Sequence, residues 1–113
     1  MPKGLFLAEF EIYLLLALAR LGERAYGVSI RQEIESRTGR PVSIGAVYAT
    51  LGRLGDKGLV TYEISSPLPV PGGRSRKYFH LTPEGDRALQ HSVAMMERMT
   101  EGLNLQPQRG GNR

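Results

Sequence analysis

A segment that begins at Ser43 and ends at Gly58 constrains the fold of this chain more than any other part of the sequence. Serine is a favoured N-cap, and glycine is the residue that best accepts the left-handed turn after a helix. The segment is therefore predicted to be a helix. Its apolar residues recur at helical spacing and form one stripe, which comprises Ile44, Val47, Leu51 and Leu54.

The opposite face of this predicted helix carries small residues and one cation, namely Gly45, Ala46, Ala49 and Arg53. Small side chains allow the helix backbone to approach a partner closely, and arginine adds positive charge to that face. Such a helix fits the major groove of DNA better than it fits solvent.

Two strands are predicted directly after this helix, at 59–64 and 77–81, because both segments are rich in β-branched and aromatic residues. The loop between them, 65–76, is predicted to form a turn at Gly72 and Gly73, and its alternating prolines are predicted to hold it extended as polyproline II. A helix followed at once by a β-hairpin is the arrangement of a winged helix. The pattern therefore predicts a mainly α fold with a small β-hairpin, in the α+β class.

Positive charge is concentrated on this helix and hairpin. The chain has 113 residues and a net charge of +4, and the segment 43–82 carries five cations and two anions, a net charge of +3. The hairpin contributes Arg74, Arg76 and Lys77, which follow a pair of glycines. A charge run is usually a solvated surface. Its place beside a helix suited to the major groove favours a polyanion partner instead.

Four pieces of the sequence resemble the PadR-like transcriptional regulators, in matching order and spacing. The pieces are Tyr26-Gly27-x-x-Ile30, Ser43-x-Gly45-x-Val47-Tyr48-x-x-Leu51-x-Arg53-Leu54, Lys57-Gly58-Leu59-Val60 and Gly72-Gly73-Arg74-x-Arg76-Lys77-Tyr78-Phe79-x-Leu81-Thr82-x-x-Gly85. The resemblance covers roughly residues 7 to 103. It implies a winged helix-turn-helix with an added C-terminal dimerisation helix, and it implies that Tyr48 contacts DNA.

Further helices are predicted before and after this core. One is expected at 8–21 and another at 26–37, and the short turn 40–42 then gives helix-turn-helix spacing. Thr82 followed by Pro83 predicts the start of a long C-terminal helix.

We therefore predict three parts of the chain. Residues 1–82 are expected to form the winged-helix DNA-binding domain, residues 83–103 the dimerisation helix, and residues 104–113 a disordered tail, because that last segment lacks any hydrophobic period.

The first helix is apolar all round, and the C-terminal helix adds an apolar stripe that the domain is not expected to cover. A second copy of the chain is the natural cover. The expected interface residues are Leu14, Leu18, Leu89, Val93, Met96 and Leu103. Methionines at helical spacing are more often adaptable core than a ligand site. The family resemblance also implies a small hydrophobic or aromatic effector, for which the candidates are Met95, Met96 and Met99.

No pattern of catalytic or metal-binding residues occurs. The sequence has no cysteine, and neither His80 nor His91 has a partner at ligand spacing, so no metal or other cofactor is expected. Phosphate-binding loops and nucleophile motifs are also missing, which argues against an enzyme. Glu9 and Glu11 interrupt the N-terminal apolar run, which is too short to span a bilayer, so we predict a cytoplasmic protein.

These observations predict a homodimeric, sequence-specific DNA-binding transcriptional regulator that represses from a palindromic operator. The predicted DNA contacts are Ser43, Gly45, Ala46, Tyr48, Ala49, Arg53, Arg74, Arg76 and Lys77. A winged helix that binds a protein partner and not DNA is the alternative, and the positive charge of residues 43–82 argues against it.

Overall fold

The computed structural model describes residues 6–67 and 69–105. The elements in chain order are helix α1 (Glu9–Leu21), a short 3-10 turn (Gly22–Arg24), α2 (Gly27–Thr38), α3 (Ile44–Asp56), β1 (Val60–Ile64), β2 (Lys77–Leu81) and α4 (Pro83–Thr100). The predicted α+β winged helix-turn-helix with an added C-terminal helix is confirmed. From residue 106 onward, the tail predicted to be disordered lies outside the described residues.

Short-range hydrogen bonds define the helix ends near their predicted positions. Ser43 caps α3, where its Oγ accepts a hydrogen bond from the Ala46 amide at 3.0 Å. Thr82 caps α4 in the same way, by accepting from the Gly85 amide at 3.0 Å. Gly39 ends α2 in the left-handed conformation, with φ of 72°.

Helix α1 lies at the centre of the domain and contacts α2, α3, α4 and β2. These elements cover most of its apolar surface, so no second subunit is needed to bury Leu14 and Leu18, which are 0% and 3% exposed. Leu89 of α4 is also buried, at 6% exposed. The expectation that these three leucines face a partner is therefore corrected, because all of them belong to the core of their own chain.

The buried stripe of α3 is slightly rotated from the predicted one. Val47, Leu51 and Leu54 are buried as expected, but Ile44 is 40% exposed. Thr50 is buried instead, at 1% exposed. Ile44 opens the first turn of α3, at the edge of the core, whereas Thr50 lies in the middle of the helix beside Leu54.

Strands β1 and β2 form an antiparallel hairpin in which Val60 pairs with Leu81 and Ile64 with Lys77. The loop between them turns sharply, because the Gly73 amide donates to the Val70 carbonyl at 2.8 Å and Gly72 has φ of 73°. A proline followed by a glycine at the two central positions is typical of a type II turn. The turn predicted at Gly72 and Gly73 is confirmed, and the extended polyproline II conformation predicted for this loop is wrong for residues 70–73.

The start of α4 is pressed against the turn that joins α3 to β1. The Thr82 amide donates to the Leu59 carbonyl at 3.0 Å, and the Thr82 hydroxyl donates to the Gly58 carbonyl at 2.7 Å. Gly85 is buried at this junction, and a Cβ atom added to it would overlap the Leu59 carbonyl oxygen. Only glycine fits there without moving the backbone.

This junction predicts opposite effects for two glycine-to-alanine substitutions. Gly85→Ala should lower the free energy of unfolding by about 1–3 kcal/mol, because the new methyl group meets backbone. Gly52→Ala, at an open position inside α3, should raise it by up to about 1 kcal/mol through helix propensity. Urea unfolding followed by circular dichroism measures both. A Gly85→Ala variant as stable as the unchanged protein would contradict this account of the junction.

Candidate nucleic-acid interface

The face of α3 that is turned away from the core carries the small residues predicted from the sequence. Gly45, Ala46 and Ala49 are all exposed. Gly52 extends this face at helical spacing, and a Cβ atom added to Gly45 or Gly52 would meet nothing within 4 Å. Sequence reasoning missed Gly52 as part of this face. Its spacing from Gly45 and Ala49 along the chain would have placed it on the same side of the helix.

Tyr48 lies at one edge of this face, between α2 and the hairpin. Its ring rests on Gly27 at the start of α2, where an added Cβ would collide with the tyrosine ring and hydroxyl. Its ring centroid also lies 6.5 Å from that of Phe79, in an edge-on arrangement. Tyr48 remains 48% exposed. Gly27 therefore allows Tyr48 to sit on the surface beside the predicted DNA-binding face.

A groove of about 400 Å³ separates α3 from the hairpin. Its walls include Tyr48 and Gly52 on one side and Tyr62, Lys77 and Phe79 on the other. The Lys77 Nζ atom lies 4.6 Å from the centre of the Tyr62 ring. Cation–π contact of this kind places the ammonium group in the groove beside α3. Tyr62 was not among the predicted contacts, because its place opposite α3 depends on how the hairpin packs.

The two arginines of the hairpin have different surroundings. The Arg76 guanidinium lies 4.1 Å from the centre of the Tyr26 ring, and its Nη1 donates to the Tyr78 hydroxyl at 3.4 Å. Arg74 is exposed in the loop. Stacking on an aromatic ring leaves the in-plane N–H groups of a guanidinium free for another acceptor. Arg76 thus connects the hairpin to the start of α2. Arg74 lies in the loop between β1 and β2, which we call the wing.

A buried carboxylate lies under the C-terminal end of α3. Glu11 of α1 is 5% exposed. Its Oε1 accepts from the Ala8 amide at 2.8 Å, and its Oε2 lies 2.9 Å from the Lys57 Nζ and 3.9 Å from the Arg53 Nε. Arg53 also donates from Nη2 to the Thr50 hydroxyl at 2.9 Å.

The Glu11 carboxyl is held in its ionised form. Burial by itself raises the pKa of this group, but the Ala8 amide and the positive charges of Lys57 and Arg53 have the larger combined effect and lower the pKa of Glu11 below its ordinary value. Sequence reasoning missed this site because Glu11 and Lys57 are 46 positions apart. One signal was available, since Glu11 is an acidic residue that directly precedes the apolar run of α1.

The remaining predicted residues lie apart from this surface. Met96 and Met99 are exposed on the outer half of α4, and Met95 is partly buried there, so the predicted effector site is not enclosed within a single chain. His80 pairs with Glu63 across the hairpin, with Nε2 and Oε1 separated by 3.0 Å.

Among residues 6–67 and 69–105, no group of three or more His, Cys, Asp or Glu side chains could hold a metal ion. None of the helices in these ranges is both long and apolar enough to cross a membrane.

A helix-turn-helix followed by a paired hairpin defines the winged-helix class, and α2, α3 and the β1–β2 hairpin form this arrangement here. The sequence profile of the transcriptional regulator PadR-like family matches residues 15–91, and the chain belongs to this family. The protein is therefore a DNA-binding transcriptional regulator and not an enzyme.

Solved structures agree with this assignment. A PadR-like transcription factor from Bacteroides fragilis is 29% identical with a TM-score of 0.69, and the match covers 84% of this chain and 86% of that one. A PadR family regulator from Eggerthella lenta is 29% identical with a TM-score of 0.63, over 79% of this chain and 75% of that one.

F93 from STIV, a winged-helix DNA-binding protein, is 20% identical with a TM-score of 0.68, over 87% of this chain and 98% of that one. At that identity it supports the fold alone. No curated protein matches the chain.

The contrast between the two hairpin arginines predicts separable effects. Arg74→Ala and Arg76→Ala should each weaken DNA binding and reduce the slope of log affinity against log salt by about one per lost phosphate contact. Only Arg76→Ala should also lower the melting temperature, because only Arg76 stacks on Tyr26. Salt-dependent fluorescence anisotropy and thermal melts measure the two effects. Equal melting temperatures for both variants would contradict a structural role for Arg76.

Proposed function

We propose that the protein is a transcriptional repressor that binds a palindromic operator as a homodimer. The observation that carries this proposal is the outer face of α3, which is built from small exposed residues and flanked by cations. Ser43, Gly45, Ala46, Tyr48, Ala49, Arg53, Arg74, Arg76 and Lys77 are the proposed DNA contacts. A repressor acts by occupying a site that polymerase needs, which requires tight binding but no catalysis.

The small residues and the cations would have different tasks at the DNA. Gly45, Ala46 and Ala49 would allow the backbone of α3 to lie deep in the major groove. The cations at its edges and on the wing would contact phosphates, which position the protein but do not read sequence. The Ser43 hydroxyl, at the N-terminal end of α3, is proposed to contact a phosphate as well.

Ala49 provides the sharpest test of the α3 face. Ala49→Glu should weaken DNA binding on the order of 100-fold or more, because it places bulk and negative charge against a polyanion. Ala49→Ser is the matched control, since it adds neither charge nor much volume and should bind nearly as well as alanine. Gel shifts on both variants, with circular dichroism to check the fold, decide the point. A folded Ala49→Glu protein with unchanged affinity would refute this placement of the interface.

The outer half of α4 supports the dimer. Val93, Met96 and Met99 are exposed apolar residues at helical spacing on α4, and the exposed Leu103 follows the end of this helix. Exposed apolar stripes of this kind mark protein–protein contacts. A second α4 is the proposed partner, and a small hydrophobic or aromatic effector would then bind near Met95, Met96 and Met99, where the two helices meet.

The proposed dimer surface can be tested without harming the core. Met96→Glu combined with Met99→Glu should give a folded monomer whose operator affinity falls about 100-fold, because linked half-site binders gain avidity. Arg98→Glu is the matched control, since it changes the net charge by the same amount on the opposite side of α4 and should remain dimeric. Sedimentation velocity reports the oligomeric state. A double variant that still sediments as a dimer would contradict the proposed interface.

The operator and the class of function can be tested together. Selection of bound sites from random DNA should yield a palindrome whose half-sites are centred about 10 base pairs apart, the spacing of successive major grooves. Placing that site over a promoter should reduce reporter expression when the protein is present. Failure to bind any DNA, even at low salt, would favour the alternative of a winged helix that binds a protein partner.

A further inference from the structure

The Glu11 carboxylate is buried in α1, and an amide and two cations surround it. Both of its oxygens are used, one by the Ala8 amide and the other by the cations of Lys57 and Arg53. Lys57 is the residue that directly follows α3, and Arg53 lies on the flank of its exposed face. The buried carboxylate therefore holds the two cations nearest to the C-terminal end of α3.

Stability alone is a weak explanation for this arrangement. Burying the Glu11 charge costs about as much as its attraction to the two cations returns, so apolar residues at such sites are often equally stable. Lys57 and Arg53 also keep much of their side-chain surface in solvent, at 33% and 59% exposed. They remain close enough to the surface for their charge to act on DNA.

The attraction of free cations for phosphates does not depend on base sequence. Two unpaired cations at the end of α3 would strengthen binding to every DNA, specific or not. With Glu11 ionised between them, the cluster carries a net charge of +1 and not +2, and Arg53 is held between Glu11 and Thr50.

We propose that Glu11 is a specificity-determining residue of the DNA-binding surface. It holds Lys57 and Arg53 in one arrangement and cancels part of their charge, which limits binding to DNA of arbitrary sequence. The inference rests on the proposed function as a repressor that binds operator DNA. It adds Glu11 of α1 to the residues that determine DNA binding, although Glu11 would not itself touch DNA. Glu11 is in this sense a positioning residue.

The test is Glu11→Gln, because glutamine keeps an acceptor for the Ala8 amide and removes the charge. Affinity for a short random-sequence duplex should rise on the order of threefold to tenfold at low salt, and the salt slope should steepen by about one for each carboxylate removed. Affinity for the selected operator should rise less, so the ratio of operator affinity to random-sequence affinity falls. Glu33→Gln is the matched control, since Glu33 also lies between two arginines, Arg20 and Arg37, but away from α3.

Two further variants identify the route of the effect. Glu11→Gln with Lys57→Met removes one charge of each sign and should return the salt slope to the original value. Lys57→Met alone should lower the affinity for random-sequence DNA, because Glu11 then faces only Arg53. If Glu11→Gln alone fails to fold, the comparison of Lys57→Met with the double variant still tests the role of Glu11.

The outcomes separate the two proposals. If the unchanged protein binds neither duplex, the DNA-binding function fails. If it binds, but Glu11→Gln leaves random-sequence affinity and salt slope unchanged, or Glu33→Gln changes them equally, the role of Glu11 is refuted.

Discussion

The packing of α1 is the constraint on which the rest of the structure depends. This helix contacts every other helix and the second strand, so each of those elements is positioned against the same apolar surface. Leu14, Leu15 and Leu18 are almost completely buried there. An all-round apolar helix suggested a subunit interface from the sequence. Within the fold, the central position of α1 explains its apolar surface, and the partner surface that we propose is the outer half of α4 instead.

Much of the fold could be predicted because its signals are local. A capping serine or threonine, a proline at the first helical position and a glycine after the last turn each act within a few residues. Ser43, Thr82 and Gly39 therefore marked the helix ends closely. The small face of α3 was also predictable, since helical spacing alone separates Ala49 from the buried stripe. The conformation of the loop between the strands was predicted wrongly although Pro71-Gly72 is itself a local turn signal, because the alternating prolines were taken to keep the chain extended.

The finer parts of the candidate site could not be read from spacing, because they join residues far apart in the chain. Tyr48 depends on Gly27, which leaves room for its ring, and Arg76 depends on Tyr26 for its stacking partner. Nothing in the spacing of the sequence pairs Glu11 with Lys57. Each of these contacts needs the packing of α1, α2 and the hairpin to be known first.

These long-range contacts have a common physical effect. Free lysine and arginine side chains lose rotamer entropy when they bind, which reduces the affinity gained from each contact. Here Arg76 is stacked on Tyr26, Lys77 lies against Tyr62, and the cations at the end of α3 are held by Glu11. Part of that ordering is thus already present in the folded protein. Charge contacts to phosphate carry no sequence information. In the proposed function, fixing the positions of these cations would limit which placements on DNA are favourable, and the small face of α3 would then distinguish among them.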